Sequence, residues 1–261
     1  MLQNSLQQIC GTVQDIARQA GKIELTHFDP NGYDKVQYKD DNSPVTEADK
    51  AAEAFIKPAL IELEPSIDFI GEESAAARGR TQPTEYFWLV DPLDGTKEFI
   101  SGSGNFTVNI ALIHNNKPIL GVVYVPTTGQ IFSGYRDGTA QENGQTISVR
   151  TQPEEGLTVV ASKSHGSGEK LDKFLEQFKV ANTIKRGSSL KICEIAAGRA
   201  DLYPRFGPTC EWDTAAAHAV LTAAGGILCD EQGNELVYKG IGPTFLNPEF
   251  IASSRTLKYS C

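Results

Sequence analysis

Apolar residues at Leu6, Ile9, Val13, Ile16, Ala20 and Ile23 recur at steps of three and four, a spacing that predicts an amphipathic helix. Positions 29–44 are polar and carry Asn-Gly, Asp-Asn and Ser-Pro steps, which predict a loop. Thr46 opens a second helix that reaches about Leu63, with a kink expected at Pro58. The pattern then shifts to short apolar runs typical of strands, at 68–72, 87–91, 106–114, 118–125 and 130–135, with a brief one near 146–149. Connections as short as HNNKP and RDGT predict antiparallel neighbours.

The segment Gln152-Pro153-Glu154-Glu155-Gly156 reads as a boundary, because the order of elements changes after it. Strands are expected at 157–162, 183–185, 202–205 and 227–230, and helices at 168–178, 188–197 and 213–224. Such alternation indicates α/β layering. The expected organisation is an α+β part with a largely antiparallel sheet over 1–155, followed by an α/β part over 156–261.

Composition narrows the class. A chain of 261 residues at 40% hydrophobic content can bury a full core, as one large domain or as two smaller ones packed together. It holds no apolar run of about 18 residues, so no transmembrane segment is expected. The start, MLQNSLQQIC, lacks a basic stretch followed by an apolar one and does not read as a secretory signal. Five scattered cysteines without a CxxC pair argue against a disulfide framework or structural zinc and fit a reducing cytoplasm. His114 and His218 read as structural, since neither has zinc-like spacing to another ligand.

The net charge of −9 disfavours a nucleic-acid polymer as partner. Residues 150–205, however, hold 10 basic and 7 acidic side chains. That excess fits either a mixed solvated surface or a site for a small anionic ligand.

Candidate chemistry lies in acids placed where elements end. Asp91 and Asp94 follow the apolar run Phe87-Trp88-Leu89-Val90, Glu72 and Glu73 follow Phe69-Ile70-Gly71, and Asp213 opens the helix in CEWDTAAAHAVL. Carboxylates at such places suit hard cations, and magnesium takes a few of them while leaving other positions to water and phosphate. The rigid Pro92 turn lets the Leu93 carbonyl join as a neutral oxygen ligand. One acid could bridge two ions, which in two-metal sites stand about 3.5–4 Å apart. Each piece also has a plain structural reading: Asp213 as a helix N-cap, Asp94-Gly95 as a turn, Glu72-Glu73 as a solvated pair, and Thr46 to Asp49 as a capping box.

Together the pieces form a recognisable set. The order GEE (71–73), WLVDPLDGT (88–96), WDTAA (212–216) resembles the inositol monophosphatase superfamily of metal-dependent, lithium-sensitive phosphatases. The resemblance runs from NSPVTEAD (42–49) to FLNPEFIA (245–252). Within it, DPLDGTKEF, FTVNIALI, KPILGVVY, GSSLK, LYPRFGPT and FLNPEF look like the 3′(2′),5′-bisphosphate nucleotidase branch. It implies a layered αβαβα sandwich, α/β in class. It also implies hydrolysis of the 3′-phosphate of adenosine 3′,5′-bisphosphate to AMP and phosphate, in the clearance of a by-product of sulfate activation.

The resemblance also implies roles. One Mg²⁺ is expected on Glu72, Asp91 and the Leu93 carbonyl, and a second between Asp91, Asp94 and Asp213; a weaker third, where present, again touches Glu72. One ion would activate the attacking water and the other stabilise the leaving alkoxide. Thr96 and Asp49 resemble the family's proton-relay couple and, with Glu72, count as catalytic. Gly95 and Thr96 would offer backbone N–H groups to the phosphate, beside Glu72, Leu93, Asp94 and Asp213. His165, Ser188, Lys191 and Arg205 match positions that hold the nucleotide and its 5′-phosphate, where arginine supplies a fork and lysine a point charge. Taken alone, His165 could be a surface residue, Ser188 an N-cap and Lys191 a solvated lysine.

Where relatives commonly read WDTAAG, this chain has Ala217, which puts fine substrate preference in question. Other small phosphate esters (inositol monophosphate, histidinol phosphate, fructose bisphosphate) are the alternative substrates. A non-catalytic module binding metal and phosphate is a further alternative, disfavoured because the acids and the Thr96–Asp49 couple are all present. Relatives are also associated peripherally with the cytoplasmic side of a membrane, although no basic amphipathic helix here argues for it. The sequence does not fix the oligomeric state.

Overall fold

The computed structural model describes residues 2–33, 36–38, 44–75, 82–162, 168–241, 245–255 and 257. Helix α1 spans Leu6–His27 and starts at a capping box, in which the Ser5 hydroxyl accepts from Gln8 N and the Gln8 side chain returns a bond to the Ser5 N–H. Ile9, Val13, Ile16, Ala17 and Ala20 form its buried stripe. Helix α2 spans Glu47–Leu63 and continues through Pro58. Between the helices, Gln37–Tyr38 (β1) pairs antiparallel with Pro44–Val45 (β2). The polar stretch expected to be all loop therefore holds a short ladder, too brief to leave an alternating pattern.

Seven strands follow: β3 Asp68–Gly71, β4 Tyr86–Asp94, β5 Thr107–His114, β6 Lys117–Val125, β7 Gln130–Tyr135, β8 Gln141–Glu142 and β9 Gln145–Thr146. They lie in one sheet in chain order. All neighbours are antiparallel except β3 and β4, which are joined by a long connection rather than a tight turn. Asn115 and Asn116, at φ 51° and 63°, turn β5 into β6, the positive-φ geometry of a two-residue hairpin. The strand expected at 146–149 ends at Thr146, and Val149 N instead donates to Ala224 O at 3.0 Å.

The second sheet contains β10 Leu157–Ser162, β11 Val180–Arg186, β12 Leu202–Arg205, β13 Gly226–Asp230 and β14 Phe250–Ser254, in the order β11-β10-β12-β14-β13. Strand β14 leaves no sign in the sequence, since its five residues carry too little alternation; pairing on both sides with β12 and β13 makes it a strand. Further helices among the described residues are α3 Thr96–Ile100, α4 Glu169–Leu175, α5 Leu190–Ala196 and α6 Glu211–Ala223.

The side-chain parity of β4 shows how the layers stack. Trp88 and Val90 pack with α1 and α2, whereas Phe87 and Leu89 pack with residues of α5 and α6. Strand residues alternate between faces, and with both faces covered the whole run must be apolar. On the second sheet, Val160, Tyr203 and Ala252 face α5 and α6, while Val159, Leu202 and Ile251 pack with Phe174 of α4. The result is α1/α2, sheet, α5/α6, sheet, α4: the expected αβαβα sandwich. Helix α6 lies so close to the first sheet that a Cβ on Gly121 would stand 2.1 Å from Ala216 O. Ala217 is fully buried in this layer and does not line the cleft described below.

Candidate active site

The alternation of β4 continues past the core. Asp91 shares the parity of Phe87 and Leu89, so it faces the α5/α6 layer, and it is buried. Strand β3 runs parallel with Gly71 opposite Val90, and Glu72 N donates to Val90 O at 3.1 Å. Glu72 therefore leaves its strand beside Asp91. Gly71 is required here, because a Cβ would meet Glu53 Oε2 at 2.2 Å while that oxygen accepts from Glu73 N at 2.9 Å. From the helical layer, the first turn of α6 delivers Asp213, whose Oδ2 accepts from Cys210 N at 2.8 Å. One carboxylate oxygen from each of Glu72, Asp91 and Asp213 lies within 4.8 Å of the others.

Such a cluster is unfavourable by itself. The Asp91 carboxyl is pushed well above the usual range by burial first, then by Glu72, Asp94 and Asp213. Asp213 is raised by burial and then by Asp94 and Glu72. Buried carboxylates without a counter-charge take up protons, and a divalent cation removes that penalty. An all-oxygen donor set of this kind fits a hard cation such as magnesium.

Between Asp91 and Asp94 the β4–β5 register slips, since Asp91 pairs with Asn109 and Asp94 with Thr107. The extra residue is a bulge, the common device for re-aiming side chains. Leu93 N donates to Asp91 Oδ1 at 3.0 Å, and the buried Leu93 side chain packs with Phe99 and Phe106. Gly95 takes φ 101° ahead of α3, where a Cβ would also stand 3.0 Å from Asn105 O.

Asp94 is held from three sides. Its Oδ2 accepts from Ser188 Oγ and Ser189 N, both at 2.7 Å, and from Asn109 Nδ2 at 3.2 Å. Ser188, at φ 55°, also contacts Thr107 Oγ1. Ser189 and Asn109 were not among the expected site residues; the only sign of Asn109 is a polar side chain in the apolar run FTVNIALI.

Thr96 Oγ1 lies 3.3 Å from Asp49 Oδ1 and 3.4 Å from the Leu93 carbonyl. Asp49 Oδ2 accepts from Thr46 N at 2.7 Å and Thr46 Oγ1 at 2.6 Å. The capping box and the Thr96 contact thus use the two oxygens of one carboxylate. Burial raises the Asp49 pKa against these hydrogen bonds.

A cleft of about 470 Å³ brings the pieces together. Glu72, Asp91, Leu93, Asp94, Gly95, Thr96, Ser188, Lys191, Arg205 and Asp213 all line it. Lys191 is buried, its ammonium donating to Ser188 O at 2.6 Å and lying 5.6 Å from the Tyr203 ring centre, with its pKa lowered by burial. Arg205 donates from Nη2 to Pro208 O at 3.0 Å, and its buried Nε has no partner among the described residues. Asp49 stands behind Thr96, outside the lining. His165 lies outside the described residues. No described helix is long and apolar enough to cross a membrane.

The model of the inositol monophosphatase family matches residues 5–259. The 3′(2′),5′-bisphosphate nucleotidase CysQ of Escherichia coli (strain K12) is 45% identical over 250 residues, covering 95% of this chain and 99% of that protein. The enzyme of the same name from Salmonella typhimurium is 44% identical over 249 residues, covering 94% and 98%. Among solved structures, CysQ from Bacteroides thetaiotaomicron, described as a bacterial member of the inositol monophosphatase family, superposes with a TM-score of 0.79 at 34% identity, covering 96% of this chain and 98% of that one. The matched segment holds every acid of the cluster, and the chain belongs to the inositol monophosphatase family.

Proposed function

We propose that this chain is a magnesium-dependent 3′(2′),5′-bisphosphate nucleotidase, which hydrolyses the 3′-phosphate of adenosine 3′,5′-bisphosphate to AMP and inorganic phosphate. The observation that carries the reading is one cleft lined by the Glu72–Asp91–Asp213 cluster and by cations that include Lys191 and Arg205. The acids suit metal-assisted phosphoryl chemistry, and the cations suit a substrate that brings a second phosphate. Two relatives that carry this activity in their names are 45% and 44% identical along nearly their full length.

Glu72, Asp91 and the Leu93 carbonyl would hold one magnesium, and Asp91, Asp94 and Asp213 a second. Bound there, magnesium supplies Lewis acidity and charge neutralisation toward the phosphate ester. Thr96 accepts a proton from the attacking water while passing its own to Asp49, whose pKa burial has raised toward that task. Gly95 and Thr96 offer backbone N–H groups to the reacting phosphate. Ser188, Lys191, Arg205 and His165 take the nucleotide and its 5′-phosphate. In this reading residues 1–155 form the part that holds most metal ligands, and 156–261 the part that supplies Asp213 and the substrate contacts. The setting is cytoplasmic sulfur metabolism, and lithium inhibits.

Phosphate release across nucleotide, inositol and sugar phosphates, with magnesium and then with added lithium, tests the reading. Adenosine 3′,5′-bisphosphate should give the highest kcat/KM, and K191M/R205M should lose that preference. Equal or faster turnover of inositol monophosphate, unaffected by the double substitution, would replace the nucleotide with a simpler ester.

A further inference from the structure

Behind Asp213 the first turn of α6 is held by a buried polar array that the reaction does not use. Thr214, the next residue, lines the cleft and is almost fully buried. Its Oγ1 donates to Glu211 O at 3.3 Å and accepts from Asn247 Nδ2 at 3.0 Å and from Tyr238 OH at 3.2 Å. A hydroxyl has one proton and two lone pairs, so these three contacts fill its capacity and fix its rotation. Tyr238 OH lies 3.0 Å from His218 Nδ1. Which atom donates in that second contact depends on the imidazole tautomer, and the pair is linked in either case. His218 stands one helical turn after Thr214 on the same face of α6. Its Nε2 lies 3.5 Å from Glu235 Oε1, and the other Glu235 oxygen lies 3.6 Å from Lys117 Nζ at the surface.

Both His218 and Tyr238 are fully buried. Burying polar side chains costs free energy unless each finds its partner, and an apolar pair of similar size would avoid the cost. What the polar pair provides is direction: each group accepts only one placement of the next.

We propose that His218 and Tyr238 are positioning residues for the metal centre. Through Thr214 they set the rotation and depth of the first turn of α6, and so the place of the Asp213 carboxylate. The inference rests on Asp213 being a metal ligand. It differs from a packing role because its effect is on metal affinity rather than on the fold alone.

The test is calorimetric binding of MgCl₂ to the substrate-free protein, read beside thermal unfolding without metal. Y238F keeps the ring and removes the link; magnesium affinity should fall about tenfold, the effect of one lost buried hydrogen bond. H218L should do the same, while H218N, whose amide can donate or accept near the place of Nδ1, should recover most of the affinity. T214V removes the hydroxyl with little change of shape and reports the same link if a His218 variant does not accumulate. If Y238F and T214V lower the melting temperature yet bind magnesium within about twofold of the unsubstituted protein, the array is packing only. D213N separates the two readings, since unchanged binding there would overturn the role of Asp213 itself.

Discussion

Ser188 Oγ donates to Asp94 Oδ2 at 2.7 Å, joining residues 94 positions apart across the two sheets. The bond comes from a serine forced to φ 55°, and the adjacent Ser189 N reaches the same oxygen at 2.7 Å. A carboxylate so held presents its other oxygen in a fixed direction. S188A removes one of three donors, and a hydrogen bond to a charged group contributes about 1.5–3 kcal/mol. With two donors remaining, the magnesium concentration for half-maximal activity should rise about three- to tenfold, measured by metal titration of phosphate release. An unchanged titration would mean that Ser189 N and Asn109 orient Asp94 without help.

Thr96 and Asp49 allow a test of proton transfer that separates chemistry from folding. T96V keeps the shape and removes the hydroxyl, so kcat should fall about 10²–10⁴-fold with little change in melting temperature. T96S should restore most of it. D49N weakens both the proposed relay and the cap of α2, and should also lose about 0.5–2 kcal/mol of stability. Equal kcat for T96V and T96S would remove the hydroxyl from the mechanism.

Much of this site can be read in the sequence, for reasons that single residues make clear. The parity of Phe87, Leu89 and Asp91 on one strand already puts the aspartate on the face opposite Trp88 and Val90, and the capping signature at Thr46 fixes where α2 begins. Local periodicity and cap chemistry act within a few residues, so they leave a trace in the chain. The three donors to Asp94 do not, because they come from β5 and from the turn before α5, and only the closing of the two sheets brings them together. The array behind Asp213 was likewise hidden: His218 read as structural, and nothing local ties it to Tyr238, 20 positions on. Strand β14 is not legible in the chain because its strand character comes from its neighbours rather than from its own five residues.

The raised pKa values of Asp91 and Asp213 make stability depend jointly on pH and on metal. Both carboxyls titrate higher in the folded chain than the usual unfolded value of about 3.9. The stability they contribute in the absence of metal is therefore complete below about pH 3.9 and is lost as pH rises through their raised folded values. Magnesium bound at these acids would supply the missing counter-charge, so it should stabilise more at pH 8 than at pH 5. At 100 times its dissociation constant the gain is about 2.7 kcal/mol, roughly 5–10 °C for a chain of this size. D213N should lessen the decline without metal and lose most of the magnesium effect. Scanning calorimetry at the two pH values, with and without MgCl₂, reads both; a shift independent of pH would mean that the ion binds away from these acids.

Glu24 calls for a separate test, because it is a carboxyl on the buried face of α1 with neither oxygen hydrogen-bonded among the described residues. Burial, and after it the charge of Asp49, hold its pKa well above the usual glutamate range. The sign is the same as for the cluster: its contribution is fully favourable below the unfolded value of about 4.3 and is lost as pH rises through the raised folded value. No metal is invoked at Glu24, so magnesium should not rescue this loss. An unpaired buried polar group costs about 1–3 kcal/mol, and E24M, which fills similar space without a polar terminus, should recover about that much at pH 8 and less at pH 4.5. Urea unfolding at both pH values checks it through the change in midpoint. A destabilised E24M at pH 8 would mean that the carboxyl has a partner in solution, and a buried water bridging it to Asp49 would then be the first candidate.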